Sequence, residues 1–259
     1  MAQSAATIQS RNAVSANLRY RADLRGAHML GTGAYWQQGR GPKRVSRLEL
    51  SMQIGGEQRS TYTQVSDGLH LWMHRTLGDK PTLTHVDLKR AAREAAGKDA
   101  AANPNPLGLP LAGGLPQIMV GLVDNFEFIR LEQTAVQSIP MWVVSGGWNR
   151  TRLVQHLPQQ QAAIEAGQEV DLSKLPPHVP DRVSLVIGQD DLFPYRIEYT
   201  RGEGDTRHVL LLLEFFNVRI GEPIEPQRFR YQPPPDLEIV DVTDDFLKRG
   251  QPGQGGAGG

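Results

Sequence analysis

Val45-Ser46-Arg47-Leu48-Glu49-Leu50-Ser51-Met52-Gln53-Ile54, followed by Gly55-Gly56, sets the reading of this chain. Leu48, Leu50, Met52 and Ile54 alternate with Arg47, Glu49, Ser51 and Gln53, and a period of two puts the apolar set on one face of a strand. The two glycines mark a turn. Arg59 to Val65, the turn Ser66-Asp67-Gly68 and Leu69 to Leu77 then continue as a meander of antiparallel hairpins. Further strands are expected over Phe126 to Thr134, Ile139 to Val144, Val183 to Ile187, Phe193 to Thr200, His208 to Val218 and Phe229 to Tyr231. About ten antiparallel strands point to one sheet, and accumulating twist makes so long a sheet curl. The expected fold is mainly β (α+β): an incomplete antiparallel barrel, a half-barrel, with dry faces lining its concave side and helices over its mouth.

The helical segments are read from the period of 3.6 residues. Residues 4–25 place Ile8, Val14, Leu18 and Ala22 on one stripe. Leu88 to Ala102 is rich in Ala, Lys, Arg and Glu and ends at Asn103-Pro104-Asn105-Pro106. Pro116 opens a short apolar helix carrying Leu115, Ile118, Met119, Leu122 and Val123. Arg150 to Ala166 is a polar helix, followed by Pro176, Pro177 and Pro180. The expected organisation is an N-terminal helix over 1–26 and one half-barrel domain over 27–249. That domain carries insertions near 78–112 and 146–181, and a disordered Gly-rich tail follows at 250–259.

Composition narrows the function. The 259 residues carry 28 basic and 28 acidic side chains, a balance without the basic excess of a nucleic-acid binder. There is no cysteine, hence no disulfide, thiol nucleophile or cysteine metal site, while 27 glycines and 18 prolines suit a turn-rich β protein. The longest aliphatic run, Val209 to Leu213, falls far short of the ~18 residues of a membrane helix. Met1 to Thr7 has neither a basic flank nor an apolar core, so no signal peptide is expected in this chain, which leaves a cytoplasmic protein or one whose signal has been removed.

The candidate chemistry is thin. His70 and His74 lie four apart, a zinc-binding spacing on a helix but a span of ~13 Å on a strand. His85 and Asp87 are ordinary strand neighbours. Ser145-Gly146-Gly147 lacks the first glycine of a nucleophile elbow. Asp190-Asp191 reads as a hairpin turn and Asp244-Asp245 as a helix start, and Gly31-x-Gly33 opens a strand rather than a phosphate loop. No catalytic residue, metal or cofactor is expected, and the chain is not read as an enzyme. The strands instead offer an apolar face of Leu48, Leu50, Met52, Ile54, Leu185, Ile187, Ile197, Tyr199, Leu211, Leu213 and Phe215. Leu210 and Leu212, opposite Leu211 and Leu213, suggest burial on both faces there.

Several spans taken in order resemble the LolA-type outer-membrane lipoprotein carriers. They are Gly31-Thr32-Gly33-Ala34-Tyr35-Trp36 with Arg47-Leu48-Glu49-Leu50, and Asp67-Gly68-Leu69-His70-Leu71-Trp72. Gly113-Gly114-Leu115-Pro116 follows, then Val183 to Tyr199, and finally Phe229-Arg230-Tyr231-Gln232-Pro233-Pro234 with Val240-Asp241 after it. The resemblance covers about residues 27–242; the insertions are longer than the family's. It implies a half-barrel whose cavity shields acyl chains of lipoproteins or other lipids without catalysis. Trp72, Phe126, Phe128 and Met141 would join the apolar face, and Leu115, Ile118, Met119, Leu122 and Val123 would form a lid. Arg40 is the candidate for the family's arginine that ties lid to barrel, with Arg44 and Arg47 as competitors. The implied setting is the periplasm, as a monomer, with an inner-membrane release complex and an outer-membrane acceptor as partners. The rival expectation is an envelope sensor or protein-interaction module that keeps the fold with a filled core.

Overall fold

The computed structural model describes residues 1–24, 26–95 and 114–249. Five strands run as a meander: β2 (Ala27–Gln38), β3 (Val45–Ile54), β4 (Gln58–Ser66), β5 (His70–Leu77) and β6 (Lys80–Asp87). Five more form a second: β7 (Phe126–Val136), β8 (Ile139–Trp148), β9 (Arg182–Gly188), β10 (Pro194–Arg201) and β11 (His208–Ile220). β1 (Ala13–Leu24) joins them, pairing antiparallel with β2 on one side and β11 on the other. β12 (Ile239–Asp241) runs parallel to β6, so one sheet of twelve strands extends from β12 to β7 without closing. This is the incomplete antiparallel barrel expected from the hydrophobic pattern.

Register lines the apolar side chains into rows. Val144, Leu185, Ile197, Leu213 and Tyr20 are successive cross-strand partners, and Phe215, Leu18, Gly33 and Leu50 form the next row. Gly31 and Gly33 give that face its close approach: a Cβ built on Gly33 would stand 2.0 Å from the Glu49 carbonyl oxygen. The buried rows merge into one core shared with α1 (Ala2–Ser10) and α3 (Gly114–Asn125).

Three segments depart from the sequence reading. Residues 13–24 are a strand, and the N-terminal helix is only α1. Val14, Leu18 and Ala22 are four apart, a spacing that fits both a helix stripe and one face of a strand; Ala16 and Tyr20, buried with them while Asn17, Arg19 and Arg21 are exposed, decide for period two. The expected helix over 150–166 is two short ones, α4 (Arg150–His156) and α5 (Gln161–Glu165), because Pro158 cannot supply the amide a continuous helix needs. Phe229 to Tyr231 is no strand: residues 226–229 form a 3-10 turn. The strand that Gly31-x-Gly33 opens is β2, whereas β6, which the pattern does not mark, lies within the expected insertion at 78–112. The described part of the Ala-rich helix is α2 (Leu88–Ala95); its continuation and the tail at 250–259 lie outside the described residues.

The segment after β11 crosses the outer face of β2–β6 as a strap. Arg228 lies over the Trp36 ring at 4.5 Å, Phe229 is buried, and Tyr231 stacks on Trp72 with ring centroids 5.7 Å apart. The Val242 amide donates to the His85 carbonyl, and α6 (Thr243–Arg249) follows. Asp241 secures the end of the strap. The Thr243 hydroxyl, then the Thr243 amide and His85, hold its carboxyl below the ordinary carboxylate range. The folded state therefore favours the charged form, a contribution present above an ordinary Asp pKa of about 3.9 and lost as pH falls below it. Hydrogen exchange should show the Val242 amide losing protection below about pH 4 while the β1–β2 amides keep theirs; parallel loss at both would refute this clasp.

Candidate ligand cavity and its lid

Helix α3 lies across the concave face of the sheet. Its Leu115, Met119 and Leu122 are fully buried, and Ile118 and Val123 pack on the core half-buried. Between helix and sheet a void of about 20 Å³ remains, lined by Leu18, Tyr35, Leu48, Leu50, Leu115, Ile118, Leu213 and Phe215. That is little more than the space of one water, and its lining surface is wholly apolar. The concavity is thus occupied by α3 itself. Helix α1 packs on α3. It is moored by the Ser4 hydroxyl donating to the Leu192 carbonyl at 2.7 Å, by Arg11 to the Asp191 carbonyl at 3.0 Å and by Arg44 to the Gln9 carbonyl at 2.9 Å.

Polar ties hold α3 at its two ends. The Leu115 amide donates to the Tyr35 hydroxyl at 2.8 Å, and that hydroxyl donates to Gln37 Oε1 at 2.7 Å. At the other end the Asn149 amide donates to the Asn125 carbonyl at 2.8 Å. Burial pushes the Tyr35 phenol far above its usual range, so it stays protonated and keeps its donor. Gln37 has no exposed surface, yet among the described residues its Nε2 has no partner, nor does the buried Nε of Arg44. An unmade hydrogen bond of this kind costs about 1–3 kcal/mol. Tyr35→Phe should leave the Leu115 amide and Gln37 Oε1 unpaired as well, loosening α3 by about 1–3 kcal/mol. Exchange of the α3 amides should then quicken by roughly tenfold or more; an unchanged rate would show that the phenol does not hold the helix.

The structure gathers most of the apolar residues anticipated for the cavity. Leu48, Leu50, Phe126, Leu185, Ile187, Ile197, Tyr199, Leu211, Leu213 and Phe215 share one buried cluster with Leu115, Met119 and Leu122; Met52 and Phe128 pack against it. Ile54 is half-buried at the far end of the same strand face. Two residues stand elsewhere. Trp72 is on the outer face, against Tyr231 and His85, since β5 presents Leu71 and Met73 to the inside. Met141 is buried but three positions from Val144, hence on the opposite face of β8. Leu210 owes its burial to a bulge, being the extra residue between the Tyr199–Leu211 and Thr200–Val209 pairs. Arg40 is exposed, and among the described residues no hydrogen bond joins it to α3; Arg44 is the arginine that reaches a helix, and that helix is α1. Sequence reasoning missed Tyr35, Gln37 and Leu18. The first lay inside the quoted motif, and the last would have followed from the alternation of 14–22.

His70 Nδ1 lies 2.9 Å from His85 Nε2, whose Nδ1 is 3.5 Å from Asp241, while His74 meets the edge of Tyr231. Among the described residues no group of three His, Asp or Glu is placed to hold a metal, and no helix is long and apolar enough to cross a membrane.

The fold and site define a curled open sheet that encloses an apolar helix. No family model and no curated protein matches the chain. Among solved structures it is similar to MucB, determined in complex with MucA, at 14% identity and a TM-score of 0.43; the match covers 93% of this chain and 61% of that one. It is also similar to the lipoprotein LppX of Mycobacterium tuberculosis, at 12% identity and a TM-score of 0.40, over 86% of this chain and 94% of that one. LprF from Mycobacterium bovis is similar at the same identity and TM-score, over 86% and 90% of the two chains.

Proposed function

We propose that this protein is a non-enzymatic carrier that shields acyl chains of lipoproteins or other lipids in the concavity now filled by α3. The observation that supports the reading is the wholly apolar contact between α3 and the concave face, with polar ties at the helix ends. Burying Leu115, Met119 and Leu122 is worth about 6 kcal/mol in all, at about 1.5–3 kcal/mol each. A methylene contributes about 0.8 kcal/mol, so roughly eight buried methylenes offset the three side chains they displace. A long acyl chain exceeds that, and a 12-residue helix some 18 Å long vacates a groove of matching extent. The setting that goes with this function is the periplasm, with a membrane complex that loads the carrier and an acceptor that unloads it.

The filled core also favours a second reading, an envelope sensor or interaction module in which α3 never leaves. Mass spectrometry of an organic extract of protein exported into a periplasm and purified without detergent separates them. Near-stoichiometric fatty acid, phospholipid or acylated peptide supports the carrier. An empty protein that also fails to bind an apolar fluorescent probe at micromolar concentration overturns it.

A further inference from the structure

We infer that Gln37 Nε2 and the Arg44 guanidinium, at the amino end of α3, form a polar head site for the cavity, taking an acyl chain that ends in a carbonyl or carboxylate oxygen. The inference rests on the carrier reading and adds the chemistry of the ligand's head to it.

Three observations converge on this spot. Gln37 sits two residues beyond Tyr35 on the inner face of β2, so its amide begins where the apolar lining of Leu18, Tyr35 and Leu48 ends. Gln37 Oε1 takes the Tyr35 hydroxyl, and the Gln9 carbonyl takes Arg44 Nη2. Among the described residues two donors here have no partner, Gln37 Nε2, which has no exposed surface, and Arg44 Nε. Third, α3 starts hard against this corner. Gly114, with φ +64°, lies so close that a Cβ there would stand 2.3 Å from the Tyr35 hydroxyl and 3.4 Å from Gln37 Oε1. When α3 withdraws, the Leu115 amide leaves Tyr35, and the corner faces the groove with the Gln37 amide donor, the cationic Arg44 side chain and the freed Tyr35 hydroxyl oxygen. A positive charge beside a buried amide donor suits an accepting ligand oxygen, and the same charge disfavours a quaternary ammonium head, which also has no N–H for the free oxygen.

The test uses the full chain and two ligands with the same tail, dodecanoate and dodecyltrimethylammonium, each displacing a phenylnaphthylamine probe. Wild type should bind dodecanoate about tenfold or more tightly than the ammonium, the value of one good hydrogen bond to a charged group. In Gln37→Met and in Arg44→Met the ratio should collapse toward one, whatever the loosened latch does to the affinity that both ligands share. Equal binding of both ligands by wild type, or a ratio that persists in either folded variant, overturns the head site and leaves the carrier reading standing. Failure of both ligands to displace bound probe overturns the two together. Methyl dodecanoate separates the sources: binding close to that of dodecanoate assigns the site to a neutral ester carbonyl, and much weaker binding assigns it to a carboxylate.

Discussion

Leu122→Asp is expected to expel α3 from the sheet and leave the sheet folded. Leu122 is 1% exposed among apolar neighbours, and an unpaired carboxylate there costs several kcal/mol or must take up a proton. That penalty is comparable to the roughly 6 kcal/mol that seats the helix, so withdrawal is the cheapest relief. The sheet has its own support, since its ladders run continuously through all twelve strands and do not pass through α3. The variant should keep the strand signature in circular dichroism, lose exchange protection only in α1 and α3, and bind an apolar probe more strongly than wild type. Protection lost throughout the sheet would show that α3 is ordinary core and would remove the lid from the carrier reading.

The second large effect concerns β2. Gly33→Val forces a branched side chain onto a face where even a Cβ would meet the Glu49 carbonyl oxygen at 2.0 Å and Leu50 Cδ2 at 2.8 Å. The leucine tip can turn away, but the carbonyl belongs to the β3 backbone and moves only if the β2–β3 pairing opens. Overpacking against backbone of this kind costs about 3 kcal/mol, which lowers Tm by roughly 10 °C for a domain of this size. Gly147→Ala is the control, because a Cβ there meets only the Asp181 carbonyl at an ordinary 3.7 Å; its Tm should move by about 2 °C or less. Equal losses in the two variants would mean that the tight approach at Gly33 does not constrain the β2–β3 pairing.

How far the fold could be read depended on whether each segment's periodicity was unambiguous. Leu48 to Ile54 admits only period two and was legible; His208 to Val218, an apolar run with two valines and two phenylalanines between turn glycines, suits a buried strand. Val14, Leu18 and Ala22 satisfy two periods at once, and the longer stripe from Ile8 tipped the reading to a helix. The extent of β2 was obscured because Gly31, Gly33 and Gln37 occupy its inner face, so apolar alternation does not mark where the strand opened at Gly31-x-Gly33 begins and ends. Trp72 and Met141 show a different limit. Alternation says which residues share a face, but a strap over the outer side buries aromatics there too, and only the paired registers tell the two dry faces apart. The latch was illegible for a third reason: Tyr35 and Leu115 are 80 residues apart in sequence, and no local pattern connects a phenol to the amide that opens a helix.

The position of β1 between the two meanders has a consequence for how the molecule forms. Each meander is built from neighbouring hairpins and can begin to assemble from local contacts, whereas Leu18 must find Phe215 and Tyr20 must find Leu213 across nearly the whole chain. Closing so large a loop is entropically costly before any contact compensates it, and long-range pairings of this kind set the pace of β-protein folding. During synthesis β1 emerges well before β11, so one side of β1 stays an open edge until β11 follows. The exposed Asn17, Arg19 and Arg21 put polar and charged side chains on that waiting strand, the same device that keeps edges of finished sheets from recruiting the wrong partner.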